Sequence, residues 1–343
     1  MKITTIGIDL AKQVFQVHGV DERGKTVLRK QLKRAQMLPF FVNLPTALIG
    51  MEACGGAHYW ARQLQTYGHT VKLMAPQYVK PYVKTNKNDA ADAEAICEAV
   101  GRPNMRFVAI KTAEQQAILS VHRVRQGFVK ARTAQVNQIR GLLAEFGLVL
   151  PQGISHLAKG LPDILEDGAN ALPGSFRQLL RRLHEHLQQV DRQVAELERE
   201  IQLWHQDSAA SQRLAAIPGI GPLSASAFVA TVGDGHNFVR GRQLAACLGL
   251  VPRQASSGGK TTLLGISKRG DSYLRTLLIH GARSVVRQVE RHPERADPWL
   301  RQLLSRRPKN VVAVALANKN ARVAWALLTQ GQDYQPRAMP MSE

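Results

Sequence analysis

The chain has 343 residues, 44% of them hydrophobic, with 46 Lys and Arg against 26 Asp and Glu and a formal net charge of +20. This apolar content excludes a disordered tail protein, and the length accommodates two or three domains with a sizeable core. So large a positive excess selects a polyanionic partner, nucleic acid first, bound with an affinity that falls steeply with salt.

The first predicted strand, Lys2–Asp9, carries Ile3, Ile6 and Ile8 and ends in a carboxylate. The alternating stretch Val14–Val20 predicts a second strand, and a turn at Asp21–Lys25 leads into a third, Thr26–Leu32. After a loop or short helix come a strand over Ala47–Glu52, a helix over His58–Tyr67, a strand over Thr70–Met74, and helices over Gln77–Lys84 and Asp89–Val100. Three antiparallel strands followed by strand–helix alternation is the order of the ribonuclease-H-like fold, in which acids from the first strand, the fourth strand and a late helix converge. Asp9, Glu52, Asp89 and Asp92 occupy those positions.

Each acid alone also reads as a helix cap or a turn residue. Together, four carboxylates would repel one another in a low-dielectric site unless cations neutralised them. Hard divalent ions with oxygen ligands do so, and paired Mg²⁺ ions are a recurrent means of cutting phosphodiesters. Lys84 and Lys87, between the acids, are candidate phosphate contacts or simply solvated lysines.

From Thr112 the pattern becomes helical. Thr112–Phe146 predicts a long basic helix, and Gly147–Gly174 reads as a Gly- and Pro-rich connector. Ser175–Trp204 predicts a second long helix with a seam of Leu179, Leu183, Leu187, Val190, Val194, Leu197, Ile201 and Trp204. That seam suits either an antiparallel hairpin with the first long helix or a dimer contact. Next, Ile217-Pro218-Gly219-Ile220-Gly221 before a helix at Leu223–Val232 resembles a helix-hairpin-helix turn. Its glycines, Gly219 and Gly221, let backbone N–H groups approach a phosphate.

Gln243–Leu250 predicts a helix, and Val251–Lys260, with Arg253, Ser256, Ser257 and Lys260, reads as a flexible polar loop. Lys268 and Arg269 make its continuation basic ahead of a helix at Ser272–Val289. A serine hydroxyl among cations also suits a nucleophile attacking phosphodiester. Lys309–Thr329 predicts a last helix, and residues 331–343 read as a disordered tail. No apolar run reaches the roughly 18 residues that span a bilayer, and the N-terminal apolar residues belong to a strand, so neither a membrane span nor a signal peptide is expected. Cys54, Cys97 and Cys247 form no CxxC pair, which argues against zinc or disulfides and fits a reducing cytoplasm.

The Gly-Ile-Asp strand ending at Asp9, Met-Glu-Ala around Glu52 and Lys87-Asn88-Asp89-Ala90-Ala91-Asp92-Ala93 resemble the DEDD motif of insertion-sequence family 110 transposases and their subgroup 1111. The Ile-Pro-Gly-Ile-Gly block at 217–221 and the segment from Gly249-Leu250-Val251-Pro252-Arg253 to Ser257-Gly258 resemble the C-terminal domain of that family, which includes relatives of the pilin-gene inverting (Piv) recombinases. The resemblance runs from about residue 3 to 330. It implies a RuvC-like domain at 1–105 with Asp9, Glu52, Asp89 and Asp92 as its Mg²⁺ site, a helical coiled-coil region at 106–207, and a mostly helical transposase domain at 208–330 with Ser257 as nucleophile. It further implies a non-coding guide RNA encoded by the element itself, donor and target DNA as substrates, homodimers pairing into tetramers, and a cytoplasmic, nucleoid-associated bacterial setting. Arg253, Lys260, Lys268 and Arg269 are then candidate nucleic-acid contacts. Gly259-Lys260 departs from a more serine-rich family continuation, and Ser256 stands beside Ser257. A metal-only nuclease of Holliday-junction-resolvase type and a non-catalytic binding scaffold are the competing readings.

Overall fold

Period-two patterning in the first hundred residues builds a mixed sheet whose two faces are covered by different helices. The computed structural model describes residues 2–84, 88–295 and 297–335. They form two compact units, Met1–Gln116 with Gly235–Val239, and Ala117–Asp234 with Arg240–Glu343. Lys87 and the tail beyond residue 335 lie outside the described residues.

In the first unit the strands are β1 (Thr5–Leu10), β2 (Val14–Val20), β3 (Thr26–Lys33), β4 (Leu48–Glu52), β5 (Thr70–Met74) and β6 (Phe107–Val108). The helices are α1 (Met37–Val42), α2 (Ala57–Thr66), α3 (Pro76–Val79) and α4 (Asp89–Val100). The sheet order is β3-β2-β1-β4-β5-β6. β1, β2 and β3 pair antiparallel, β4 joins β1 and β5 in parallel, and β6 closes the edge antiparallel to β5. The predicted helix over Gln77–Lys84 is α3 followed by a 3₁₀ turn at Lys80–Tyr82. Pro81 lacks the N–H that an uninterrupted α-helix would need there.

Alternate residues of the central strands divide between the faces. Ile6, Ile8, Ile49, Met51, Val71 and Leu73 are buried in one core with Phe15, Val17, Phe41, Trp60 and Leu64, beneath α1 and α2. Gly7 and Gly50 turn to the opposite face, where α4 lies. A Cβ on Gly7 would stand 2.2 Å from the Ala93 carbonyl oxygen and 2.4 Å from the Cys97 nitrogen. A Cβ on Gly50 would stand 2.7 Å from the Val100 Cβ. At Gly7 helix backbone therefore rests almost directly on strand backbone, at Gly50 the Val100 side chain does, and Ile96, Ala95, Ala99 and Val100 pack with Met74 and Val79 around these contacts.

The second unit takes in nearly all of α5 (Ala113–Ala144), then α6 (Ile154–Glu166), α7 (Gly174–Asp207), α8 (Ala209–Ala215), α9 (Pro222–Val232) and α10 (Gly241–Cys247). A β-hairpin, β7 (Pro252–Ser257) and β8 (Lys260–Ile266), precedes α11 (Ser272–Arg291), α12 (Pro298–Leu304) and α13 (Lys309–Gln330). Helices α5 and α7 form an antiparallel hairpin: Arg125 pairs with Glu198, Arg132 with Asp191 at 2.8 Å, and Gln135 donates to the Leu183 carbonyl. Of the predicted seam, Leu187, Val190, Val194 and Ile201 are buried, but Leu180 replaces Leu179, which is exposed. By length and composition α13 could cross a bilayer, yet Val312, Ala313, Ala317, Ala321 and Ala324 bury it in the core of this unit.

Two sequence expectations are corrected here. The connector expected over 147–174 contains α6, whose Leu157, Leu161 and Leu165 pack on Val136, Ile139, Leu143 and Leu180. Gly160 and Pro162 read as breakers, but Gly160 gives room for Leu150, whose Cδ2 would lie 2.8 Å from an added Cβ. The flexible loop expected over Val251–Lys260 is instead the first strand and turn of the β-hairpin.

Among the described residues, α5, α9 and α11 share one buried polar network. Ser226 Oγ donates to the Pro222 carbonyl at 2.8 Å, so it accepts from His122 Nε2–H at 3.1 Å. The Tyr273 hydroxyl, 3.0 Å away, then donates to Nδ1 of a neutral ring. Burial, reinforced by the Arg125 charge, lowers the His122 pKa from 6.5 to about 4.

Gly7→Ala should destabilise the first unit by about 1–3 kcal/mol, because the clash is with backbone that no rotamer change relieves. Gly55→Ala, which meets nothing within 4 Å, serves as the control. Equal melting temperatures for the two variants would contradict the close-approach account. For His122, the unfolded chain takes up a proton below pH 6.5 that the folded chain refuses until about pH 4. Stability should fall by about 3 kcal/mol as pH drops through that window and stay level above it. Denaturant titrations of wild type and His122→Gln should show this slope in the wild type alone, and an equal slope in both would refute the assignment.

Candidate active site

Asp9 follows Gly7 by two residues on β1, so it points to the same face of the sheet, and Glu52 holds the equivalent place after Gly50 on β4. The parallel register pairs Gly7 with Gly50 and Ile8 with Met51, which sets Asp9 and Glu52 side by side at the ends of adjacent strands. Helix α4 runs against the direction of β1. The four residues from Ala93 back to Asp89 cover about 6 Å along the helix, close to the two-residue advance of about 6.6 Å from Gly7 to Asp9. The contact that seats Ala93 on Gly7 therefore delivers Asp89 to Asp9.

Asn88 fixes where the helix begins, because its side chain accepts from the Ala90 N–H at 2.9 Å. Asp89 and Asp92 then occupy the first turn, three apart and on one side.

The result is a cluster in which carboxylate oxygens of Asp9, Asp89 and Asp92 all lie within 4.8 Å of one another. Glu52 borders it. Burial, then the charges of Asp9 and Asp92, raise its pKa above the usual carboxylate range. An all-oxygen donor set under mutual repulsion fits a hard divalent cation, whose charge would relieve that repulsion. Cys54 also lies near the cluster, but desolvation of its sulfur and the charges of Glu52 and Asp9 raise its pKa, so it remains a thiol. Burial pushes Cys97 to about 11, and its Sγ donates to the Thr5 carbonyl, a packing role beneath β1. Lys84 pairs with Glu98 at 2.9 Å while its side chain stays exposed.

The other predicted site residues lie in the second unit. Gly258 and Gly259, at φ +54° and +76°, form a two-residue hairpin turn that favours glycine at both positions. Ser257 pairs across that turn with Lys260, and Ser256 with Thr261. Neighbouring serines thus face opposite sides of the ribbon. Ser256 Oγ is tied down, 2.8 Å from the Gln254 amide and 3.3 Å from Thr261 Oγ1. Among the described residues, the Ser257 hydroxyl has no partner, and its cross-strand neighbour is the lysine.

Arg253 is exposed on β7, and Lys268 and Arg269 follow β8. Lys268 adopts a left-handed φ of +54°, and its N–H donates to the Gly249 carbonyl, which docks the hairpin base. Gly249 must be glycine there, since a Cβ would meet the Arg269 oxygen at 2.3 Å. Arg275 clasps the same junction by donating to the Leu248 and Arg269 carbonyls. Gly219 packs against Gly281 of α11, so its lack of a side chain serves helix packing, whereas Gly221 is exposed at the start of α9. Sequence reasoning missed Gly7, Gly50 and Asn88; the glycines interrupting two β-branched strands were the available signal.

Comparison with known proteins finds transposase families and relatives. The family model DEDD_Tnp_IS110, described as a transposase, matches residues 6–147, and the model for the transposase IS116/IS110/IS902 family matches residues 211–306. A probable family 20 transposase of Pseudomonas aeruginosa is 57% identical over 337 residues, covering 98% of this chain and 100% of the relative. The transposase for insertion sequence element IS1111A of Coxiella burnetii is 46% identical, covering 97% of this chain and 92% of its own. The pilin gene-inverting protein of Moraxella lacunata is 23% identical over 98% of this chain and 99% of its own.

The acidic cluster predicts a metal response. Mn²⁺ should raise the melting temperature of the wild type, and Asp9→Asn, nearly isosteric but one charge poorer, should lose most of that increment. Glu52→Gln and Asp89→Asn should act in the same direction. Calorimetry showing equal Mn²⁺ stabilisation in wild type and Asp9→Asn would remove these acids from metal binding.

Proposed function

This chain belongs to the IS110/IS116 family of DEDD transposases and is a DNA transposase; from that premise we propose that it cuts and rejoins donor and target DNA through a covalent phosphoserine, guided by an RNA encoded by its own element. The observation that carries the reading is the meeting of Asp9, Asp89 and Asp92, with Glu52 beside them, at the ends of two central strands. The strand order and this placement support a RuvC-like assignment for residues 1–105, followed by a helical coiled-coil region at 106–207 and a transposase domain at 208–330. A divalent cation held by the four acids, Mg²⁺ in this reading, would stabilise negative charge on the phosphate and the leaving oxygen.

Ser257 is the nucleophile in this scheme. Its Oγ bonds to the scissile phosphorus as the phosphorus–oxygen bond to one DNA end breaks, and the departing oxygen takes up a proton. The phosphoester energy is retained, so a hydroxyl end of another strand can attack the phosphoserine, release the serine and complete the exchange. The turn geometry supports Ser257 over Ser256, because one hydroxyl is presented beside Lys260 and the other is held across the ribbon. Lys260 and Arg253 would balance phosphate charge in this scheme, and arginine's planar fork suits that ligand. DNA specificity follows the guide RNA in this reading, and dimers pairing into tetramers bring donor and target together. The complete set of carboxylates also supports a second chemistry, a metal-dependent nuclease in which activated water attacks and Ser257 only contacts phosphate.

The two chemistries separate on one substrate. With guide RNA, Mg²⁺ and a nicked suicide DNA, the wild type should yield a peptide–DNA adduct that mass spectrometry places on Ser257. Ser257→Ala alters one exposed atom, so folding should hold while recombination falls below detection; Ser256→Ala should remain within a few-fold of wild type. Efficient cutting by Ser257→Ala, leaving free ends and no adduct, would transfer the chemistry to the acids and water.

A further inference from the structure

The second unit carries a wide groove of about 1520 Å³ that the scheme above leaves unused, lined by the start of α10, by α12 and α13, and by the residues just after α13. This exceeds the roughly 300–1,000 Å³ of an ordinary small-molecule site. Its floor holds two half-buried tryptophans. Trp299 lies under the Lys319 ammonium, 4.3 Å from the ring centroid, and Lys319 also reaches Asp297 at 3.1 Å. Trp325 packs on Gly241, where an added Cβ would come within 3.1 Å of the indole Cε3. The rim holds Arg240, Arg242 and Arg322, all exposed. Among the described residues none of these three arginines has an acidic partner, whereas Asp297 and Asp333 in the same lining are taken up by Lys319 and Arg213.

Aromatic rings recessed between unpaired guanidinium groups match the chemistry of a single-stranded nucleic acid, with bases stacked on the rings and phosphates held by the arginines. A duplex keeps its base faces stacked internally and could use only the rim. We propose that this groove binds an unpaired stretch of nucleic acid, with Trp299 and Trp325 as base platforms and Arg240, Arg242 and Arg322 as phosphate ligands. The inference rests on the protein's acting on nucleic acid and is independent of RNA guidance and of the serine chemistry. The bound strand is either RNA or DNA, and the shared stacking and phosphate chemistry is what the site recognises.

The test measures fluorescence anisotropy of labelled oligo-dT, oligo-rU and a DNA duplex on the full chain across a salt series. Replacing Arg240, Arg242 and Arg322 together by alanine should weaken single-strand binding at least ten-fold and flatten its log–log salt slope by about 2, at roughly 0.7 per phosphate contact. Trp299→Ala should weaken it roughly five- to a hundred-fold with the melting temperature held near wild type, and Trp299→Phe should restore most of the loss; a merely structural role for the indole would lower the melting temperature in step with affinity. Duplex affinity should change far less in every variant. The dT and rU arms identify which strand is preferred. Single-strand affinity unchanged in the variants, an equal loss for duplex, or equally good competition by poly-glutamate would overturn the groove assignment. A wild type that binds no nucleic acid at all would take the broader reading down with it.

Discussion

How closely α4 can approach the sheet decides what the acidic centre can be. A helix packed on a sheet through ordinary side chains stands about 10 Å away, and carboxylates reaching across that gap from both layers would be long and loosely placed. Here two glycines remove the intervening strand side chains: helix backbone lies against strand backbone at Gly7, and the Val100 side chain sits directly on Gly50. Short aspartates then suffice from both layers. Burial, and then the charges of Asp9 and Asp92, raise the Glu52 pKa, so both desolvation and repulsion oppose folding here and the close packing beneath must outweigh them. Ile6, Ile8, Ile49 and Met51 on the reverse face are fully buried and supply that support. Function and stability pull against each other across one strand, residue by alternate residue.

The serine hairpin is organised on the opposite principle. Every residue of β7 is exposed, and all of β8 except Ile266 is too. Its fixed point is the base, where Gly249 and Gly270 allow close chain crossings and Arg275 bonds two carbonyls. A ribbon anchored at its root, with a glycine turn at its tip, presents a hydroxyl to a large substrate without surrounding it. That presentation would suit the proposed attack of Ser257 on a large nucleic-acid substrate.

The strands and the acids were legible from sequence because both follow short-range rules. Thr70–Met74 and Asp89–Val100 are the elements their periodicity predicts, to the residue, and Asp9, Glu52, Asp89 and Asp92 were found from their positions at strand and helix ends. The two failures share a physical cause, since in each the local signal pointed away from a structure completed elsewhere. Helix α6 tolerates Gly160 and Pro162 because its leucine stripe is buried by α5 and α7, a long-range gain that composition does not register. The hairpin strand Pro252–Ser257 is small and polar and reads as a linker until its pairing with Lys260–Ile266 is known. Choosing between Ser256 and Ser257 likewise required the register, which sends adjacent side chains to opposite faces. The long helices were clear in extent, but it takes cross-hairpin contacts such as Arg125–Glu198, Arg132–Asp191 and Gln135–Leu183 to show that the seam closes within the chain.

The account stands on the claim that helix-to-strand contact builds a divalent-cation site from Asp9, Glu52, Asp89 and Asp92. Anomalous diffraction from crystals soaked in Mn²⁺ measures it most directly. The account predicts a peak within bonding distance of Asp9, Asp89 and Asp92 oxygens, lost in Asp9→Asn crystals of the same form. Ordered carboxylates with no peak among them, while Mn²⁺ occupies other sites in the same crystal, would contradict it.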